Sequence, residues 1–91
     1  MFREMLTVRI NRDAQESMVR ELAALQAQLR DDHGLAATLW TRYPQRLDMA
    51  LQIHHEDPTQ PHASPLGLRL ADGLRAFGTV DHALWVPLFK T

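Results

Sequence analysis

Chemistry in this chain would fall to histidine, carboxylate and hydroxyl groups, because cysteine is absent and five histidines are present. Two of the histidines are adjacent and run straight into two acids, His54-His55-Glu56-Asp57, at the end of the alternating stretch LDMALQIHH. Imidazole beside carboxylate can ligate a divalent metal or carry a proton. A second acid pair is Asp31-Asp32, and Ser17 and Ser64 could act as nucleophiles only with a base beside them.

Spacing decides most of these candidates. Neighbours on a strand point to opposite faces, so His54 and His55 cannot share one metal. His33 falls in the turn after a helix and His62 in a loop. His82 is expected at the start of the last strand, at the opposite end of the sheet from His54. No H-x3-H or comparable ligand spacing occurs. The expectation is no metal and no cofactor, with the histidine pair an ordinary strand end entering a polar loop. The acid pairs lie at element boundaries and read as solvated ends.

The elements that position these groups follow from periodicity. Residues 4 to 10 alternate, with Leu6, Val8 and Ile10 on one side and Met5, Thr7 and Arg9 on the other, which predicts a half-buried strand. Asn11 or Asp13 is placed to cap the next helix, with Glu16 at the capping-box distance from Asp13. That helix carries Met18, Leu22, Leu25 and Leu29 on one stripe and closes at Gly34. LAATLWTRY is a second strand, Tyr43-Pro44-Gln45-Arg46 a turn, and LDMALQIHH a third strand. EDPTQPHASP is a loop. LGLRLADGLRAFG predicts a shorter helix that Gly78 ends, with Gly67 and Gly73 each costing about 1 kcal/mol relative to alanine. VDHALWVPLF is the last strand.

The order β-α-β-β-α-β over 91 residues predicts a single ferredoxin-like α+β domain spanning residues 1–91. Right-handed crossovers and a central hairpin favour an antiparallel sheet in the order 4-1-3-2 with both helices on one face. Pro87 cannot donate to a ladder and suits the edge position this order assigns to the fourth strand. The helices are expected to cover Leu6, Val8, Ile10, Leu39, Leu51, Ile53, Leu84 and Val86. The other face is expected to show Thr7, Arg9, Thr38, Trp40, Arg42, Ala50, Gln52, His54, Ala83, Trp85 and Phe89. Large aromatics beside polar groups on an open sheet mark a contact surface.

Bulk properties exclude several classes. A formal net charge of -1 gives no pull toward nucleic acid or an anionic membrane. The third strand lacks the aromatic, glycine and basic signature of RNA-recognition modules that share this fold. No apolar run approaches the ~20 residues of a membrane span, and MFREMLTVRIN does not resemble a secretory leader. A cytoplasmic location is expected. A chain of this size hides only roughly 60–65% of its unfolded surface, so a second copy is a natural source of further burial.

Over its whole length the chain resembles a family of short proteobacterial proteins classed as a domain of unknown function. The likeness lies in ELAALQAQLRDDHGLAATL, LDMALQIHHED and VDHALWVPLF. In that family a tryptophan-bearing strand stands where this chain has DMALQIHHE, which here removes an aromatic from the open face. The resemblance implies a ferredoxin-like bacterial protein and transfers no activity. More broadly the pattern is similar to the dimeric α/β-barrel superfamily, which implies two copies joined through their sheets. That superfamily includes cofactor-independent oxygenases and haem-degrading enzymes; the latter rely on a histidine on the second helix, and LGLRLADGLRAFG has none.

The sequence therefore points to a small homodimeric binding or interaction module without chemistry of its own, with Trp40, Trp85 and Phe89 at the interface. The alternative is a cofactor-free, oxygenase-like enzyme or small-molecule binder. There, Arg9, Gln52 and His54 would orient a ligand in a cavity between two sheets.

Overall fold

Alternation carries the first strand further than its most apolar residues. In β1 (Phe2–Ile10) every second side chain is buried, namely Phe2, Glu4, Leu6, Val8 and Ile10, while Arg3, Met5, Thr7 and Arg9 face the other way. The computed structural model describes residues 1–57 and 60–89. After β1 a single 3-10 turn, Arg12–Ala14, leads into α1 (Gln15–His33). The expected side-chain cap is not made. Neither Asn11 nor Ala14 caps through its side chain, and the Ala14 N–H instead reaches the Asn11 carbonyl at 3.0 Å. Met18, Leu22 and Leu29 form the buried stripe, with Leu25 partly covered. Gly34 closes the helix in the left-handed region, at φ 63°, where residues other than glycine are strained.

The remaining elements are β2 (Ala37–Thr41), β3 (Asp48–His55), α2 (Pro65–Leu74) and β4 (Gly78–Trp85). They form one antiparallel sheet in the order β2-β3-β1-β4. This is the expected ferredoxin-like arrangement, with β1 and β3 central. Leu6, Val8, Ile10, Met49, Leu51 and Ile53 meet Met18, Leu22 and Leu29 of α1 and Ala71 and Leu74 of α2 in one core. Both helices therefore lie on the same face. Burying side chains of this size contributes about 1.5–3 kcal/mol each.

Four expectations change in detail. The second helix begins at Pro65, with Ser64 as its cap, and ends at Leu74; Gly78 opens β4 rather than closing the helix. His82 is thus the fifth residue of β4, opposite Leu6, which also faces Leu51. It stands mid-strand, not at the far end of the sheet. Pro87 and Phe89 lie beyond β4, so Pro87 follows the edge strand instead of sitting within it. Leu84 and Val86 were expected under the helices, yet are 39% and 56% exposed, at and beyond the end of the edge strand β4. Of the proline-marked loop between β3 and α2, Pro58 and Thr59 lie outside the described residues.

Candidate functional site

The open face of the sheet holds the residues that the sequence singled out. Arg9 on β1 faces Asp48 on β3 and grips it as a fork, Nε to Oδ1 at 2.9 Å and Nη2 to Oδ2 at 3.1 Å. The hydrogen bond from Arg9 holds the Asp48 carboxyl below its ordinary value, and Arg42 Nη1 adds a longer contact at 3.5 Å. Further along the face, Trp40 on β2 donates its indole N–H to Gln52 Oε1 at 3.1 Å. At the end of the face, Thr38 Oγ1 and His54 Nε2 share a hydrogen bond of 2.9 Å. Arg9, Gln52 and His54 do share one face, as expected, but each is engaged with a different neighbour. Arg9 is paired with Asp48, six strand positions from His54, a span of about 20 Å. A broad groove of about 400 Å³ is lined by Thr7, Trp40, Arg42, Asp48 and Ala50. It contains none of the three.

Trp40 and Trp85 are 55% and 59% exposed, and Phe89 is 77% exposed. Alternation explains the two tryptophans. Trp40 is two residues from Thr38 on β2, and Trp85 faces Arg3, whose side chain belongs to the open face and pairs with Glu56 at 3.2 Å.

The other face hides a cluster that sequence reading missed. Glu4 is fully buried on the central strand β1, near one end of the sheet. A carboxylate has about four acceptor positions, and all are filled. Oε1 accepts from His55 Nε2 at 2.9 Å and from the Ser64 hydroxyl at 2.7 Å. Oε2 accepts from the Ser64 backbone N–H at 3.0 Å and from His82 Nε2 at 2.6 Å. Burial by itself would raise this carboxyl. The Ser64 hydroxyl, His55, His82 and the Ser64 amide together outweigh it and hold Glu4 below its ordinary value. An ionised carboxylate only accepts, so both imidazoles present Nε2–H to it.

Ser64 joins this cluster to α2. Its hydroxyl donates to Glu4 and accepts from the Gly67 N–H at 2.9 Å, capping the helix, while Pro65 occupies the first turn. The positive end of the helix dipole then adds to the stabilisation of the anion. Gly67 lies against the carboxylate so closely that a Cβ there would fall 2.0 Å from Oε2. Phe2 stacks on His55 with ring centroids 4.5 Å apart and planes 12° apart, and His62 tilts against Phe2 at 5.7 Å. His55 is therefore not an idle strand end; it is built into the interior. Ser64 is not an activated nucleophile either, since its hydroxyl points to a carboxylate and not to an imidazole. Among the described residues no group of three or more His, Cys, Asp or Glu is arranged to hold a metal ion. No helix among them is long and apolar enough to cross a membrane.

Replacing Ser64 by alanine removes a cap and one bond to a charged acceptor. The expected loss is about 2 kcal/mol of unfolding free energy, read as a lower urea midpoint with an unchanged slope.

The fold is found in proteins of very different sequence. A protein from Deinococcus radiodurans described as "a putative antibiotic biosynthesis monooxygenase" superposes with a TM-score of 0.71 at 11% identity, covering 100% of this chain and 96% of that one. Rv0793 from Mycobacterium tuberculosis superposes with a TM-score of 0.68 at 16% identity, covering 98% and 96%. The fold is theirs. No family model matches the chain, and no curated protein matches it in sequence.

One signal in the sequence pointed to the buried cluster. Glu4 has the same parity as Leu6, Val8 and Ile10, His55 the same as Leu51 and Ile53, and His82 is two residues from Val80. An acid and two histidines on the inward parity of three adjacent strands must find one another, because buried polar groups need partners.

Proposed function

We propose that this chain works as a homodimer that packs its open sheet faces together and serves as a small binding or interaction module without chemistry of its own. The observation that carries this reading is the exposure of Trp40 and Trp85 on one face, each more than half in water. Tryptophan is among the residues most enriched at the energetic centres of protein interfaces. Phe89, beyond β4, is exposed as well and is counted with the interface in this reading. The polar groups of the face support binding over catalysis. Arg9, Gln52 and His54 each have a protein partner, so a second sheet can cover them without stranding a charge. The occupant is a second copy because that supplies both tryptophans twice through one isologous contact.

The test is native mass spectrometry of the purified chain with Trp40→Ala, Trp85→Ala and His54→Ala. The wild type should be a dimer, and each tryptophan variant should dissociate at least about tenfold more readily. His54→Ala should pair normally. A monomeric wild type, or dimers indifferent to both tryptophan changes, overturns the reading.

A second reading has one observation in its favour, the fold shared with the Deinococcus radiodurans protein and the monooxygenase role suggested for that protein. In that reading two copies enclose a cavity between their open sheet faces, and the chain is a cofactor-free, oxygenase-like enzyme with Arg9, Gln52 and His54 facing the substrate. It requires a bound small molecule on the dimer, or an activity that His54→Ala abolishes without loss of fold.

A further inference from the structure

We propose that Glu4, His55, His82 and Ser64 form an acid-released latch, which holds the start of α2 and the chain leading into it against the sheet and lets that segment go while the rest of the fold stays closed.

The geometry concentrates the attachment in one atom group. Three elements converge on the carboxylate: β3 through His55, β4 through His82, and the start of α2 through Ser64 and Gly67. The other titratable ring on this side is His62, which rests on Phe2 rather than on the carboxylate. Arg3 points to the opposite face, to Glu56.

The two halves of α2 are held differently. Its last turns bury Ala71 and Leu74 in the core. In its first turns the buried residue is Gly67, which has no side chain, while Pro65, Leu68 and Arg69 are exposed and Leu66 and Leu70 only partly covered. Apolar burial is therefore concentrated at the end of the helix; at its beginning only the partly covered Leu66 packs against the core, and the polar latch supplies the fully buried attachment. A helix of 10 residues with two glycines inside it does not hold its first turn unaided.

Protonation converts an acceptor-only group into one that donates from one oxygen. One of the four donors then loses its acceptor, and two imidazoles lose the anion between them. Both imidazoles belong to strands paired with β1, so Ser64 is the partner free to leave. The sign follows from the direction of the shift. The folded-state value lies below the ordinary 4.5, so the latch is fully made above 4.5 and fails as pH falls through the lower folded value.

The experiment is amide NMR with hydrogen exchange on the full chain, from neutral pH down to the onset of global acid unfolding. Exchange is corrected for its intrinsic pH dependence. The amides of Ser64, Gly67 and Leu68, whose N–H groups bond Glu4 or Ser64, should lose protection at least about tenfold, reversibly, at a pH where β1, β3 and α1 keep theirs. Ser64→Ala should move that release to higher pH, and Glu4→Gln should leave the segment open at neutral pH with no further acid step. Should Glu4→Gln fail to fold, Ser64→Ala decides. Loss of protection at these three amides only together with global unfolding, or a release pH that Ser64→Ala does not move, overturns the proposal.

Discussion

Glu4→Gln should cost about 3 kcal/mol of stability at neutral pH. The amide is the same size as the carboxylate, so the loss is not one of packing. Four donors point at Glu4: two imidazole N–H groups, one hydroxyl and one backbone N–H. Glutamine offers one accepting oxygen and turns an NH2 group toward the remaining donors. At least two hydrogen bonds to a charged acceptor disappear, each contributing about 1.5–3 kcal/mol, offset in part by the smaller desolvation of a neutral group. Against a total of about 5–15 kcal/mol for a domain, this is a large fraction. Thermal unfolding followed by circular dichroism should show the midpoint falling by roughly 10–20 °C. The deficit should shrink as pH falls through the folded-state value of Glu4, because the wild type loses the same interactions there. A variant as stable as wild type at neutral pH would show that the four contacts contribute nothing net.

Gly67→Ala should destabilise by about 2–3 kcal/mol, the reverse of what helix propensity dictates. In an exposed helix interior the same change stabilises by about 1 kcal/mol. Here the new Cβ would lie 2.0 Å from Oε2, 2.4 Å from Cδ and 2.8 Å from Oε1 of Glu4. The carboxylate is the far end of a long side chain, yet it cannot swing away, since all four of its acceptor positions are taken. Either α2 lifts from the sheet or the carboxylate surrenders bonds. Gly73→Ala is the internal control. It lies in the same helix, and a Cβ added there would meet no atom within 4 Å, so it should be neutral or stabilising by up to about 1 kcal/mol. A double-mutant cycle sharpens the test. Gly67→Ala placed on Glu4→Ala should cost far less than on wild type, because the atoms it strikes are gone. Equal urea midpoints for Gly67→Ala and Gly73→Ala would refute the close approach.

Local pattern carried most of the architecture. Alternation in β1 and β3, the Met18-Leu22-Leu25-Leu29 stripe and Gly34 each name an element without knowledge of the rest. Their order leaves few topologies, of which the observed sheet is one. The faces of His54, His55, Trp40 and Trp85 followed from parity alone. What local pattern does not contain is register between distant strands. Taking β4 to begin at Val80 instead of Gly78 put His82 at a strand end, and the error hid its pairing opposite Leu6. Starting β1 at its most apolar stretch left Glu4 as a boundary residue, although its parity was inward. The start of α2 was legible, since Ser64-Pro65 is a cap followed by a proline in the first turn, but three prolines nearby gave that stretch the look of a loop throughout. The scatter of Arg9, Gln52 and His54 along the open face has the same origin. Shared parity says which face a residue is on, and only register says how far apart two residues lie.

The contact between Glu4 and His82 spans 78 residues, and this sets the order of events during synthesis. The strand made first is central to the sheet, yet its two neighbours are β3 and β4, the second of which is made last. The backbone hydrogen bonds of α1 are all local and wait for no later strand. β1 must wait for β3 to cover one edge, and its other edge stays open until β4, which starts at Gly78, has appeared. Pairings this distant in sequence make folding slow and leave an unpaired apolar strand available for mis-association meanwhile. Here the waiting strand carries a charge on its inward face. An ionised Glu4 is costly to bury in any partnership that does not bring two imidazoles and a helix start with it, so the group that locks the finished sheet also guards the unfinished one against the wrong partner.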